Sequence, residues 1–155
     1  SIINRNAFNL VKKVNVNSYK IASRTFKDDI DLCKDIIKTG KNTYASLGMW
    51  NKKKFPYIKR NVKYLFCVSK YPTYYKDLKA FPKNFNQFFG YSDHLIGNEG
   101  CILAASRGAK IIEKHFTLSK SSNVIRDHLL SATPNEFREL VDNCKAVYKL
   151  NQSIS

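Results

Sequence analysis

Three features predict an α/β fold, a partial (β/α)8 TIM barrel. Strand-like and helix-like segments alternate along the chain, the strand over residues 64–69 is apolar almost throughout, and polar residues gather at strand ends. Residues 7–14 place Phe8, Val11 and Val14 at helical spacing with Leu10 beside them, which predicts a short amphipathic helix. Residues 18–23 (SYKIAS) read as a strand. Residues 28–38 set Ile30, Cys33, Ile36 and Ile37 on one helical face, and Gly40 follows as a stop. Residues 42–47 form a second strand, and residues 64–69 (YLFCVS) a third of the kind that is covered on both faces. A helix is expected over residues 76–88, with Pro82 interrupting it. A fourth strand spans residues 89–92, and a helix over 98–107 ends at Gly108 as its C-cap. A fifth strand covers 110–116. A closing helix covers 134–150, with Thr133 as N-cap, Pro134 at the first helical position and Glu136 three residues after the cap.

A doubly wound sheet also fits this alternation. The polar residues decide for the barrel: Ser23, Ser46, Ser69 and Tyr71, Ser92 and His94, and Glu113 and His115 all fall at or just beyond strand C-termini. Several strands supplying reactive groups at one end is the layout of a barrel active site. About five strands fit within 155 residues, against eight in a closed barrel. The expectation is therefore one incomplete barrel domain over residues 1–155, belonging to a longer polypeptide.

Composition narrows the functional classes. Apolar content of 43% is that of a globular chain. No run of about 18 apolar residues predicts a membrane span, and the start, Ser1-Ile2-Ile3-Asn4-Arg5, has neither an initiator Met nor a secretory leader pattern. Cys33, Cys67, Cys101 and Cys144 make no C-x-x-C pair, which argues against a zinc ribbon or a redox motif and for buried thiols in a reducing, cytoplasmic setting. Net charge is +15, but the lysines are spread along the chain and only Lys52-Lys53-Lys54 forms a block. No nucleic-acid-binding motif accompanies them, so the expectation is a solvated surface that can attract an anionic substrate, with no nucleic-acid partner.

Two constellations carry chemistry. In a strand, residues two apart share a face, so Ser92 and His94 point one way, and Glu113 and His115 do the same. Neighbouring parallel strands lie about 4.8 Å apart, so His94 and His115 can converge on one divalent cation. From spacing alone, two buried hydrogen-bonded imidazoles fit equally well. On the strand SYKIAS, Lys20 and Ser23 supply a cation and a hydroxyl that can hold a phosphate. The competing reading is a lysine reaching outward, which its apolar neighbours disfavour.

Taken in order, KIAS (20–23), SLGM (46–49), CVSKYPT (67–73), GYSDH (90–94), GAKIIEKHFTL (108–118) and RDHLLSATPNEF (126–137) resemble consecutive signatures of the sialic acid synthase family. The resemblance covers nearly the whole chain. It implies barrel strands 4 to 8, preceded by the end of the third. It also implies a C–C bond-forming transferase that condenses phosphoenolpyruvate with an N-acetylated hexose such as N-acetylmannosamine, giving a nine-carbon 2-keto sugar acid and phosphate. By the same resemblance, His94 and His115 are metal ligands, with manganese the first expectation and magnesium or cobalt the alternatives. Lys20 and Ser23 hold phosphate, Ser69, Ser92 and Tyr71 line the phosphoenolpyruvate pocket, Glu113 handles a proton and Asp127 contacts sugar hydroxyls. Lys20, Tyr71 and Glu113 are the candidate catalytic residues. A homodimer is implied for the full-length protein, together with a C-terminal antifreeze-like domain that this chain does not contain.

The chain departs from the pattern at Arg24-Thr25, where the family often has Gly-Glu, and at Ile125-Arg126, where it often has Gly-Pro. Between Met49 and Asn61 a short basic loop stands in place of an outer helix. These departures leave the acceptor open among a mannosamine, a bacillosamine-derived sugar and other analogues. They also define a competing expectation, a catalytically degenerate barrel fragment acting as a binding or interaction module.

Overall fold

The computed structural model describes residues 1–52, 54–57, 59–121 and 126–154; Lys53 and Ile125 lie outside the described residues. Five strands form one sheet in the order β1-β2-β3-β4-β5. They are β1 (Ser18–Ile21), β2 (Asn42–Ser46), β3 (Val62–Cys67), β4 (Gly90–Asp93) and β5 (Ile111–Lys114). The pairings β1–β2, β2–β3 and β4–β5 are parallel. Sequential order, with α-helical connections from β1 to β2 and from β4 to β5, is the half-barrel that the sequence predicts. Two compact units divide the chain within β3, Ser1–Leu65 and Phe66–Ser155.

In the first unit, α1 (Arg5–Lys12) starts two residues earlier than its apolar spacing suggests, because the Asn4 side chain caps it by accepting from Ala7 N at 2.8 Å. The strand expected over 18–23 stops at Ile21, and Ser23 opens a six-residue helix, α2 (Ser23–Asp28). Periodicity cannot register so short a helix. Thr25 drives it from within: it is buried, and its hydroxyl donates to the Ile2 carbonyl at 3.1 Å. Asp29 then caps α3 (Ile30–Lys38) by accepting from Leu32 N at 2.8 Å. The buried face of α3 is Leu32, Cys33, Ile36 and Ile37. Ile2 bridges Ile21 in parallel, so a strand-like position precedes β1, as expected for the end of a third barrel strand. No helix forms among the described residues between Met49 and Asn61, in keeping with the basic loop read there.

The second unit corrects the helix expected over 76–88. Only a single 3-10 turn forms there (Tyr75–Asp77). Phe81, Phe85 and Phe88 have helical spacing, but they anchor an irregular loop around Phe66 and Tyr91. The Phe66–Phe81 and Phe66–Phe88 ring centroids are both 5.5 Å apart, and Phe81–Tyr91 are 5.1 Å apart. Arg107 replaces the missing intrahelical bonds. Its guanidinium donates to Pro82 O at 2.9 Å, and its carbonyl accepts from Phe85 N at 3.1 Å. Phe85, Tyr91, Cys101, Ala104, Ala109 and Leu140 form the buried centre of this unit.

Gly90 marks the closest approach of β4 to β5, since a Cβ there would run into the Ile111 carbonyl oxygen. Gly90→Ala is expected to cost about 3 kcal/mol as overpacking against backbone that cannot yield, read as a lower denaturant midpoint. α4 (Glu99–Ser106) ends at Gly108, whose φ of 93° lies in the left-handed region.

α5 (Pro134–Ile154) begins as its sequence predicts. The Glu136 carboxylate accepts from Thr133 N at 2.8 Å and from the Thr133 hydroxyl at 3.0 Å, and pairs with Lys120 at 2.7 Å. Lys120 and the cap hold the Glu136 carboxyl down from its ordinary value of 4.5 to about 2. A depressed carboxyl stabilises the fold above its unfolded value, and the contribution is lost as pH falls toward 2. The side chain is 43% exposed, so solvent screening limits the effect to about 1 kcal/mol. Glu136→Gln is expected to lower the melting midpoint at pH 7, with the gap from wild type closing between pH 5 and 2.

Candidate active site

Each unit holds one of the two constellations. In the first, Lys20 on β1 and Ser46 at the end of β2 are joined by a 2.8 Å hydrogen bond from Lys20 Nζ to Ser46 Oγ, and Nζ also donates to the Ile21 carbonyl at 3.1 Å. Ser46 is buried and Lys20 half-buried, so the ammonium is held at the strand ends and does not swing into solvent. Ser23 does not lie on the strand as expected; it is the first residue of α2, where its Oγ accepts from Gly48 N at 3.0 Å. The strand-to-helix turn after Ile21 accounts for the change. From the sequence Ser46 reads only as a strand-end hydroxyl; the β1–β2 register that brings it to Lys20 is what the sequence could not supply. Thr25 is buried against Ile2 where the family pattern carries a carboxylate, so this chain has no acid at that position.

In the second unit the two histidines meet. His94 follows the last residue of β4, and His115 follows the last residue of β5. Their ring centroids stand 5.3 Å apart, inclined at 62°. His94 is buried, and its Nδ1 lies 2.8 Å from the Val68 carbonyl oxygen. A carbonyl only accepts, so Nδ1 carries the proton and Nε2 carries the lone pair. Burial lowers the His94 pKa, which favours the neutral, ligating form; the Val68 bond opposes this in part, and His115 adds to the lowering. His115 Nδ1 lies 3.9 Å from Asp127 Oδ2, an ion-pair separation rather than a hydrogen bond. An oxygen facing Nδ1 while Nε2 is left for a cation is the usual outer arrangement of a metal-binding histidine.

The distance between the rings suits a shared ion. A cation about 2.1 Å from each Nε2 lies roughly 3.2 Å from each ring centroid, which puts the centroids about 4.5–5.3 Å apart for angles of about 90–110° at the ion. The observed separation falls at the wide end of that range. Among the described residues no group of three or more His, Cys, Asp or Glu side chains is arranged to hold a metal. From the described residues an ion would therefore receive two imidazole nitrogens.

The other expected residues fall around this pair. The Tyr71 ring packs on His94 with centroids 4.1 Å apart and stands 6.0 Å from His115, so it flanks both. Ser92 is buried in β4, in register with Glu113 on β5. Glu113 is near enough to favour protonation of His94 through its charge. Ser69 lies beside Cys67, with Oγ 3.9 Å from Sγ, and Cys67 Sγ is 3.8 Å from His94 Nδ1. The sequence reading missed Asp93 and Lys114, which form a buried ion pair at 2.6 Å. The signal was present: the alternation that aligns Ser92 with Glu113 also puts Asp93 opposite Lys114 on the other face.

Parallel strands whose C-terminal ends carry paired imidazoles and a lysine–serine pair define this chain as part of a (β/α)-barrel protein with strand-end sites. The chain belongs to the NeuB family, whose model matches residues 1–154. It is 38% identical to an uncharacterized protein of Methanocaldococcus jannaschii, covering 91% of this chain and 45% of that one. It is 32% identical to pseudaminic acid synthase of Campylobacter jejuni, covering 85% of this chain and 42% of the enzyme. The crystal structure of N-acetylneuraminic acid (sialic acid) synthetase from Leptospira borgpetersenii in complex with citrate superposes with a TM-score of 0.77 at 31% identity, over 95% of this chain and 55% of that one. The family resemblance read from the order of the motifs thus holds. The chain spans about half the length of the curated relatives it matches. Among the described residues no helix is long and apolar enough to cross a membrane.

Proposed function

We propose that the protein condenses phosphoenolpyruvate with an N-acetylated hexose aldehyde, forming a nine-carbon 2-keto sugar acid and releasing phosphate. The observation that carries this reading is the His94–His115 pair, 5.3 Å apart, with His94 Nδ1 committed to Val68 O and Nε2 left as a donor. A divalent cation bound there, manganese first with magnesium or cobalt as alternatives, supplies Lewis acidity toward the acceptor aldehyde. Tyr71 packs on His94 and flanks both imidazoles. Glu113 is assigned the proton movement and Asp127 a contact to sugar hydroxyls. Lys20, with Ser23 and Ser46, binds the phosphate of phosphoenolpyruvate, and Ser69 and Ser92 line its pocket. The enol carbon of phosphoenolpyruvate bonds to the aldehyde carbon, water adds at C2, and the C2–O bond breaks as inorganic phosphate leaves. Orientation of the two substrates supplies much of the rate.

The test is incubation of the full-length protein with phosphoenolpyruvate, Mn²⁺ and a panel of N-acetylated hexoses, with phosphate release and a 2-keto acid assay as readouts. Release that depends on one hexose, matched by equal 2-keto acid, supports the reading. No release with any acceptor, from protein that binds Mn²⁺, contradicts it and favours a barrel that binds without turnover. Because Thr25 offers no carboxylate, acceptors that need an acidic contact at that position are expected to perform worst.

A further inference from the structure

We propose that Asp93 and Lys114 are positioning residues for the histidine pair: a buried clamp that fixes the spacing of His94 and His115. The inference rests on reading these histidines as metal ligands. Asp93 is the last residue of β4 and Lys114 the last of β5, and the two are in register. Each histidine is therefore the first residue beyond the last registered pair of the β4–β5 ladder, and its carbonyl turns to another segment, His94 O accepting from Thr73 N at 2.9 Å and His115 O from Ala132 N at 2.8 Å. Lys114 takes over at that point. Its ammonium lies 2.6 Å from Asp93 Oδ2, 2.5 Å from Leu95 O and 2.8 Å from Gly97 O.

An ammonium has three protons, and here it meets three acceptors, two of them on the residues flanking His94. Lys114 itself immediately precedes His115. One side chain therefore ties the Asp93 carboxylate and the Leu95 carbonyl, on either side of one imidazole, to the residue that precedes the other. Asp93 is fixed in turn, accepting from the Tyr91 hydroxyl at 2.6 Å, from Leu95 N at 3.0 Å and from the Cys101 thiol at 3.3 Å. The Lys114 and Asp93 side chains are only 2% and 0% exposed. An apolar pair could fill this space at equal or greater stability, so the ion pair has its use in geometry.

The test compares full-length wild type, the double variant Asp93→Asn/Lys114→Met and the single variant Lys114→Arg. Folding is read by circular dichroism and melting, Mn²⁺ affinity by titration, and ligand geometry by the visible spectrum of bound Co²⁺. The folded double variant is expected to bind Mn²⁺ about 10- to 100-fold more weakly, with a changed Co²⁺ spectrum. Wild-type affinity and spectrum in that folded variant would show the pair to be structural only. Should the double variant not fold, Lys114→Arg decides. It keeps the cation but cannot place its planar donors on the same three acceptors, so weaker binding and a shifted spectrum are expected, and unchanged values overturn the proposal. Failure of wild type to bind either ion would overturn the metal reading and the clamp together. Metal binding by wild type with unchanged variants overturns the clamp alone.

Discussion

Lys114→Met is expected to be the most destabilising single substitution at the strand ends, costing about 3–5 kcal/mol. Lys114 and Asp93 are almost fully buried, and the ammonium is the only cation within 4 Å of the Asp93 carboxylate among the described residues. Removing it leaves an ionised carboxylate in an apolar setting with only neutral donors, Tyr91, Leu95 and Cys101, to stabilise it. Two backbone carbonyls, of Leu95 and Gly97, lose their donor at the same time. The measurement is the denaturant midpoint at pH 7. The double variant Asp93→Asn/Lys114→Met should recover most of the loss, because no net buried charge then remains. A single-variant loss below about 1 kcal/mol would mean that water reaches the pair.

His94→Ala is expected to abolish stoichiometric Mn²⁺ binding and to lower kcat/KM for phosphate release by about 10³-fold or more. The barrier argument is simple. Lewis-acid polarisation of a carbonyl is worth several kcal/mol, and each 1.36 kcal/mol is a factor of ten. The fold should survive, with a cost of about 1–2 kcal/mol for the lost His94–Val68 bond and the lost packing on Tyr71, since the Val68 carbonyl still accepts from Lys70 N at 2.9 Å. A cooperative melt in a variant that neither binds metal nor turns over separates loss of chemistry from loss of structure. Retained metal binding in His94→Ala would shift the site away from this pair.

The sequence and the structure agree most closely where one local rule is enough. Thr133, Pro134 and Glu136 specify the start of α5 by cap chemistry alone, and Gly108 ends α4 because its backbone needs a positive φ. The two histidines follow from period-2 alternation on neighbouring strands, and β4–β5 pairing sets them side by side. The failures share a different cause. Phe81, Phe85 and Phe88 have helical spacing, but Pro82 breaks the ladder and tertiary contacts with Phe66 and Tyr91 take the rings instead. Ser23 reads as strand until the buried Thr25 turns the chain into α2. The partner of Lys20, Ser46, is 26 residues away, and only the parallel register of β1 with β2 brings them together. Local pattern therefore identifies which residues are polar and where strands end, and long-range register decides which of them meet.

The most direct measurement of the central claim is anomalous scattering at the manganese edge from crystals of the full-length protein grown with Mn²⁺. The account predicts one strong peak within about 2.1 Å of the Nε2 atoms of both His94 and His115. A Mn²⁺ peak elsewhere, or imidazole nitrogens turned away from a common point, would contradict it.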